Sequence, residues 1–549
     1  MAKDAGVAAL LAGALGAVWT LRGWPALSML HLPDTDDVMR LQQVRDWIDG
    51  QAFRDVAQHR LGTGLEMHWS RLADLVPAAG IVGLTPLFGR HAAELATVIV
   101  WPLLLFAAAL SLVARIARAL TAPASTATLV AAIAYPTTTV FLPGRIDHHG
   151  LQVVFLLGAV LALLGSPTRA RGAAIGLAAA ASMAVGLETA PLFLAIGGVV
   201  VAAWIADAPG ARNRLIGLAI GAGAGLCAAR GVFASDAFAY PACDGFTLDA
   251  WRAGMIGSAG MLVLAGLPRA AIPTRLVAAG LVGGATVLAA IVVVPRCLSP
   301  YGAVDPALAR IWLAHVAEAQ SLFAADPGVA IGYVGLSVTG IAATLSQVRT
   351  KAPGWTALLV VQIAAFAITT VQLRGAYAGA MLAAPSLAVT IAAARRAGGL
   401  RLAAAWLVSA GMLYPIAAQA LPVRRAVPPR AAPRGDCASA ALLSRLAALP
   451  PGTVMAPIDA GAYAIGATRH RLIAAPYHRN GPGNLAMFAF YGGGPVRAMA
   501  IARHWHVDYV VACADMPAGA MASAIAHGPV PGVATIAALP DGARLLRVR

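Results

Sequence analysis

Three carboxylates stand within four residues at Asp34-Thr-Asp-Asp37, just past the first apolar run of the chain. Carboxylates crowded together at the edge of a membrane repel one another and lose hydration unless a cation, a cationic substrate group or a catalytic task compensates them. Arg40, Val44 and Trp47 follow at helical spacing, so the cluster sits at a helix N-terminus, where the dipole favours anions and one Asp serves as the cap. Capping accounts for one carboxylate and leaves the other two. A second acidic motif, Pro143-Gly-Arg-Ile-Asp-His-His-Gly-Leu-Gln152, puts Asp147 and His149 on one side of a short turn. A carboxylate with an imidazole suits a divalent cation, with histidine favouring the transition-metal end. In isolation Asp147 reads equally well as a helix cap with polar neighbours. Glu318 lies in His315-Val-Ala-Glu-Ala-Gln-Ser321, and Arg374 ends a later apolar run where bilayer meets water. An arginine there suits a phosphate or diphosphate, although alone it reads better as ordinary snorkelling.

The elements that must position these groups are membrane helices. The 549 residues are 59% hydrophobic and 12% charged, and the mean hydropathy is +0.74. Soluble domains carry about 25% charged residues, so the chain reads as an integral membrane protein. Apolar runs near 5–27, 90–117, 122–141, 150–165, 173–187, 189–206, 215–233, 251–267, 276–295, 327–346, 355–372, 376–394 and 402–421 have spanning length. That is about thirteen helices of about 20 residues each. The alternating ten-residue strands of an outer-membrane barrel are absent. The N-terminal run follows Lys3 but lacks a clean small-residue cleavage site, so it is read as a retained span.

The net charge is +16. Arg115, Arg118, Arg169, Arg171, Arg212, Arg214, Arg269, Arg275, Arg349, Lys351, Arg395, Arg396 and Arg401 fall in loops on one side, which the positive-inside rule makes cytoplasmic. No basic patch interleaved with aromatics points to nucleic acid. The other face receives outer segments 28–89, 142–149, 234–250 and 296–326, and every acidic motif. Residues 1–421 thus form a transmembrane domain and the proline-rich stretch 422–434 a linker. Residues 435–549 form a small α/β domain outside the membrane. Its expected strands are near 453–457, 471–475, 507–511 and 543–548, with a helix near 495–505. Segment 53–74, rich in His and Arg and ending in Arg71 and Asp74, either lines a site or lies on the membrane surface.

Cys227 falls within a span and reads as a small core residue. Cys243, Cys297, Cys437 and Cys513 all fall on the oxidising side, which points to two disulfides, 243–297 and 437–513; four separate thiols are the alternative.

The ordered motifs resemble the catalytic subunits of oligosaccharyltransferases, within the GT-C superfamily of membrane glycosyltransferases. Asp36-Asp-Val-Met-Arg-Leu-Gln-Gln-Val-Arg-Asp46 resembles that family's first acidic motif, with Asp37 as the key carboxylate. Ile146-Asp-His-His-Gly-Leu151 is similar to its second motif, ending in His149 instead of a carboxylate. Val316-Ala-Glu-Ala-Gln320 is similar to the glutamate motif of its mobile outer loop. The family's Trp-Trp-Asp motif is missing, and Pro457-Ile-Asp-Ala-Gly461 stands roughly in its place.

The resemblance covers the membrane part and implies a glycosyltransferase at a bacterial inner membrane. Its N-terminus is cytoplasmic and its C-terminal domain periplasmic. A polyprenyl-phosphate or polyprenyl-diphosphate sugar is the implied donor, and a glycan, lipid or protein the acceptor. Asp37, Asp36 and Glu318 are the implied catalytic residues. Arg374, Arg40 and His148 are expected at the donor. Asp37, Asp147 and His149 are expected to hold a divalent cation, Mg or Mn. Two other readings are a transporter, for which Glu188 is the one convincing intramembrane charge, and a non-catalytic scaffold with an outer interaction domain.

Overall fold

The computed structural model describes residues 2–299, 301–302, 304–350, 352–420 and 435–549. The expected linker at 422–434 lies outside them. The membrane part is helical: α1 (Ala2–Leu27), α2 (Thr35–Ile48), α3 (Leu75–Phe88), α4 (Arg90–Ala119), α5 (Ala124–Ala132), α6 (His149–Leu164), α7 (Arg169–Val185), α8 (Ala190–Ile205) and α9 (Ala211–Phe233). It continues with α10 (Leu248–Gly266), α11 (Ile272–Val293), α12 (Pro306–Ile311), α13 (Pro327–Arg349), α14 (Trp355–Val371), α15 (Gly375–Leu382), α16 (Ala384–Ala397), α17 (Gly399–Ser409) and α18 (Leu413–Gln419). Among the described residues six helices are long and apolar enough to cross a bilayer, or seven if the bent pair α17–α18 is one span. Four shorter apolar helices, α3, α6, α8 and α14, join them. The protein is a multi-pass membrane protein.

Small residues set the closest helix contact. A Cβ on Gly172 or Gly176 of α7 would collide with the backbone of α9, and one on Gly217 or Gly221 of α9 with the backbone of α7. Backbones can approach that closely only where side chains are absent.

Two stretches depart from the sequence expectation. The run at 122–141 forms the nine-residue α5 and then a 3-10 turn, Thr137–Phe141. Pro136 lacks an N–H and restrains Tyr135, so one long helix cannot form there. Segment 28–89, read as wholly extramembrane loop, contains the apolar α3, which folds back along α4 through Gly89 at φ 79°. Cys227 is exposed on α9, which corrects its reading as a core residue.

The C-terminal residues form an α/β unit on a five-stranded sheet. Segment 53–74 contributes the hairpin β1 (Ala57–Gln58) and β2 (Leu65–Glu66); the sheet itself contains β3 (Thr453–Met455), β4 (Arg471–Leu472), β5 (Tyr509–Ala512), β6 (Val533–Ala538) and β7 (Arg544–Val548). Its order is β4-β3-β5-β7-β6. The first three strands run parallel, β7 pairs antiparallel to β5, and β6 pairs antiparallel to β7, with Val454 opposite Leu472 and Tyr509, and Val510 opposite Leu546. The strand β6 had no counterpart in the expected set. One face of the sheet packs on Met487, Phe490 and Tyr491. The other packs on Leu442, Leu446 and Ile465, together with Met39, Leu61, Met67 and Trp69 from the first outer segment.

That second core settles segment 53–74. It packs under the sheet, and Leu61 bridges to Leu472 in parallel. Arg60 donates to the carbonyls of Ile465 and Thr468 at 3.0 and 2.7 Å. Both expected disulfides are formed, Cys243–Cys297 and Cys437–Cys513. Segment 53–74 and the α/β unit therefore both hold α2, through Gln58 on Asp46, Arg71 on the Gln43 carbonyl and Arg45 on the Gly466 carbonyl.

Candidate functional site

Asp34 caps α2, its Oδ1 accepting the Asp36 N–H at 3.0 Å. One helical turn then aims Asp37 inward. Asp37 is fully buried, and its Oδ1 accepts the backbone N–H of Asp147 at 2.8 Å. Arg145 lies across both acids, 2.7 Å from Asp34 Oδ2 and 3.3 Å from Asp37 Oδ2. The latter contact lacks hydrogen-bond alignment, so Asp37 Oδ2 is a buried oxygen with no hydrogen-bond donor. Burial pushes the Asp37 carboxyl up to about 8, against the pull of Arg145. Desolvation and the neighbouring Asp34 hold Asp36 well above the usual carboxylate range. Asp36 is partly exposed, and Tyr477 of the α/β unit donates its hydroxyl to the adjacent Thr35 carbonyl at 3.2 Å.

Asp147 and the two histidines after it sit where the chain enters α6. Asp147 Oδ1 takes Arg40 Nη2 at 3.2 Å and His148 Nδ1 at 2.7 Å. Its Oδ2 is buried without a hydrogen-bond donor and faces His149 Nε2 at 3.4 Å. Burial opposes ionisation of Asp147, but His148 and Arg40 outweigh it and hold the carboxyl well below its usual range. Burial likewise opposes a charged His148, yet Asp147 and Glu188 raise it to about 10. His148 Nε2 meets Glu188 Oε1 at 3.3 Å. Glu188 in turn accepts from Gln152 at 2.8 Å and faces Arg374 Nη1 at 3.9 Å.

Arg374 and Glu318 complete the cluster. Arg374 Nη2 is 3.3 Å from Glu318 Oε1, and Tyr377 donates to Glu318 Oε2 at 3.4 Å. The segment bearing Glu318 is zipped to the end of α14 by its backbone. Arg374 N–H donates to the Glu318 carbonyl, Leu373 N–H to Gln320 and Leu322 N–H to Thr370, at 3.1, 3.0 and 3.2 Å. A small cavity lined by His149, Gln152, Glu188, Arg374 and Tyr377 opens beside the apolar Leu192 and Ile368.

The residues singled out in the sequence thus converge on one place, with two changes of position. Arg40, expected at the donor, is fully buried. Its guanidinium is committed to Asp74 at 2.9 Å and to Asp147, and it lies 4.4 Å over the Trp69 ring. His148, also expected at the donor, has both ring nitrogens facing carboxylates. Each therefore braces Asp147 from within the protein.

Three further members escaped the sequence reading. Arg145 sits two residues before Asp147 and was the signal nearest to hand. Asp74 is fully buried among Arg40, Gln43 and Arg71. Glu188, the intramembrane charge on which a transporter reading would rest, is a partner of His148 and Gln152 in this cluster.

The donor set suits a divalent cation. Asp147, His148 and His149 each bring a ligand atom within 4.8 Å of the others. His148 is spent on its two carboxylates. His149 directs Nδ1 at Gln152 Oε1, 3.3 Å away, and a hydrogen on Nδ1 leaves Nε2 as the bare nitrogen facing Asp147 Oδ2. A lone pair opposite a buried carboxylate oxygen is an arrangement that a cation stabilises; Asp37, on the other acidic motif, is outside this group, and its Oδ2 faces Arg145 Nε at 3.3 Å.

No protein-family model matches the sequence, and no curated protein matches it. Solved structures do match. The apo oligosaccharyltransferase of Archaeoglobus fulgidus superposes with a TM-score of 0.66 and 16% identity over 93% of this chain and 69% of that one. The archaeal oligosaccharyltransferase AglB from the same organism, in complex with an inhibitory peptide and a dolichol-phosphate, gives 0.61 and 15% over 87% and 65%. The same organism's enzyme in complex with Zn and sulfate gives 0.54 and 14% over 87% and 64%. These neighbours are oligosaccharyltransferases, and the chain has their fold over most of its length. It spans about two thirds of theirs, from 64% to 69%.

Proposed function

We propose that the protein is a GT-C-type glycosyltransferase. It transfers a sugar or oligosaccharide from a polyprenyl-phosphate or polyprenyl-diphosphate donor to an acceptor at the outer face of a bacterial inner membrane. The N-terminus is cytoplasmic, residues 1–421 form the membrane domain, and residues 435–549 lie in the periplasm. One observation carries this reading. Two buried carboxylate oxygens without hydrogen-bond donors, on Asp37 and Asp147, lie in the same charged cluster as the Arg374–Glu318 pair. The first half suits a cation and the second a phosphate.

In this reading Asp37, Asp147 and His149 hold the divalent cation, Mg or Mn. Bound there, it supplies positive charge to the departing phosphate. Arg374 adds a second positive contact through a fork only partly committed to Glu318 and Glu188, since its Nε has no partner. The donor lipid lies along the apolar wall near Leu192 and Ile368. The acceptor hydroxyl or amide approaches beside Asp36, whose raised affinity for a proton suits it to take one as the new bond forms at the anomeric carbon and the carbon–phosphate oxygen bond breaks. Glu318, latched by Arg374 and Tyr377, closes the site.

The test is transfer of radiolabelled sugar from a polyprenyl-phosphate donor in membranes carrying the protein, with and without chelator. Label moving to an acceptor in a chelator-sensitive way is the expected result. No transfer from either mono- or diphosphate donors, with the protein correctly inserted, would overturn the reading.

A further inference from the structure

We infer that Glu188 is a positioning residue that orients both cation-binding side chains at once, Asp147 through His148 and His149 through Gln152. The inference rests on the reading of Asp37, Asp147 and His149 as a cation site.

Five side chains form an almost closed ring of hydrogen bonds. Asp147 Oδ1 meets His148 Nδ1 at 2.7 Å, and His148 Nε2 meets Glu188 Oε1 at 3.3 Å. Glu188 Oε2 accepts from Gln152 Nε2 at 2.8 Å, and Gln152 Oε1 faces His149 Nδ1 at 3.3 Å. The ring's one gap lies between His149 Nε2 and Asp147 Oδ2, 3.4 Å apart, and these are the two atoms expected to bind metal.

Hydrogen-bond direction makes Glu188 decisive. An ionised carboxylate only accepts, so it obliges both neighbours to donate to it. On one side His148 carries hydrogen on both nitrogens, has no lone pair for a metal, and holds Asp147 by Oδ1 so that Oδ2 is left free. On the other side the Gln152 amide is turned with its nitrogen to Glu188 and its oxygen to His149. That oxygen calls for a hydrogen on Nδ1 and leaves Nε2 bare. Glu188 thereby sets a carboxylate's orientation and an imidazole's tautomer from the loop joining α7 to α8. That loop is shaped for the approach: a Cβ on Gly186 would collide with the Glu188 carboxylate and the His148 ring.

The test measures Mn²⁺ binding to the purified full-length protein by electron paramagnetic resonance, without donor or acceptor. In Glu188→Gln the new amide group faces the Gln152 amide. With His148 still donating to the oxygen of the new amide, its NH2 faces Gln152, which then turns over so that its nitrogen meets His149 Nδ1 and forces the wrong tautomer. Affinity should fall by about 10- to 100-fold, the usual effect of losing such a supporting partner. The exchanged pair Glu188→Gln with Gln152→Glu keeps both histidines donating into the pair, with only the bond between 188 and 152 reversed, and should recover most of the affinity. A bulk or folding role predicts no recovery. If Glu188→Gln binds Mn²⁺ like the wild type, or the exchange recovers nothing, the inference is overturned. In either case Asp147→Asn still loses Mn²⁺ if the cation site itself is right. Undiminished binding in Asp147→Asn would overturn the cation reading and this inference with it.

Discussion

Asp244, in the outer connection before α10, takes both arms of Arg479 from the α/β unit, Nε on Oδ2 at 2.8 Å and Nη2 on Oδ1 at 2.6 Å. His478 adds a contact to Oδ2 at 2.6 Å, and Arg479 also donates to the Glu66 carbonyl at 3.2 Å. The pair is nearly solvent-free, at 1% exposure for Asp244 and 3% for Arg479. It joins three segments: the membrane connection stapled by Cys243–Cys297, the first outer segment and the α/β unit. Asp244→Asn leaves a buried guanidinium half-paired, which costs about 3–5 kcal/mol. The expected outcome is an α/β unit that is released at lower temperature while the bundle holds. Limited proteolysis after residue 434 across a temperature series measures it, and a variant as resistant as the wild type would contradict the clamp.

The same pair sets an acid limit. Burial works against an ionised Asp244, but Arg479 and His478 outweigh it and hold the carboxyl well below its usual range. A depressed carboxylate contributes stability that is fully present above its unfolded value, near 3.8, and is lost as pH falls below it. Domain docking should therefore be flat with pH from neutrality to about 5 and weaken only below about 4. In Asp244→Asn that acid-dependent step should shrink. Intrinsic fluorescence of the protein in detergent, titrated from pH 7 to pH 3, distinguishes the two.

At the acidic cluster the expected phenotype is loss of chemistry with retention of fold. Asp37→Asn and Asp147→Asn each remove one buried carboxylate oxygen that has no hydrogen-bond donor in the folded protein, so neither strands a partner on that oxygen. Both variants should still insert and fold, at some cost in stability because Arg145 or the Arg40–His148 pair loses a counter-charge, yet transfer no measurable sugar. Full activity in both variants would eliminate the metal-assisted reading.

The parts of this site that could be read along the chain are those whose signal is local. Asp34 to Asp37 announces itself by charge crowding before a helical repeat, and Asp147 with His149 by adjacency. The strands at 453, 471, 509 and 544 follow from short apolar runs between turn residues. What escaped was decided by pairing across long separations. Asp74 matters because Arg40 reaches it, Glu188 because His148 does, and Arg40 is withdrawn from the donor because Trp69 and two carboxylates enclose it. The first outer segment belongs to the α/β core because Leu61 meets Leu472, 411 residues away in the chain. Hydropathy also merged α5 and the turn after it into one span, since it weighs side chains and takes no account of the missing N–H of Pro136.

Arg374 offers the sharpest separation between holding a loop and holding a phosphate. Its backbone N–H carries one of the bonds that dock the Glu318 segment, and that bond survives any side-chain change. Its guanidinium touches Glu318 at 3.3 Å and keeps Nε unpaired. Arg374→Lys retains a positive charge near Glu318 but loses the planar fork that matches two phosphate oxygens. Arg374→Gln loses the charge as well. If the side chain serves the loop alone, Lys should restore most of the wild-type rate. If it stabilises charge on the departing phosphate, Lys should be nearly as impaired as Gln, with kcat reduced by about 10²–10³-fold and little change in cation affinity. Single-turnover transfer with saturating polyprenyl-phosphate sugar reads that difference directly, and a lysine variant with near-wild-type kcat would assign Arg374 to the loop.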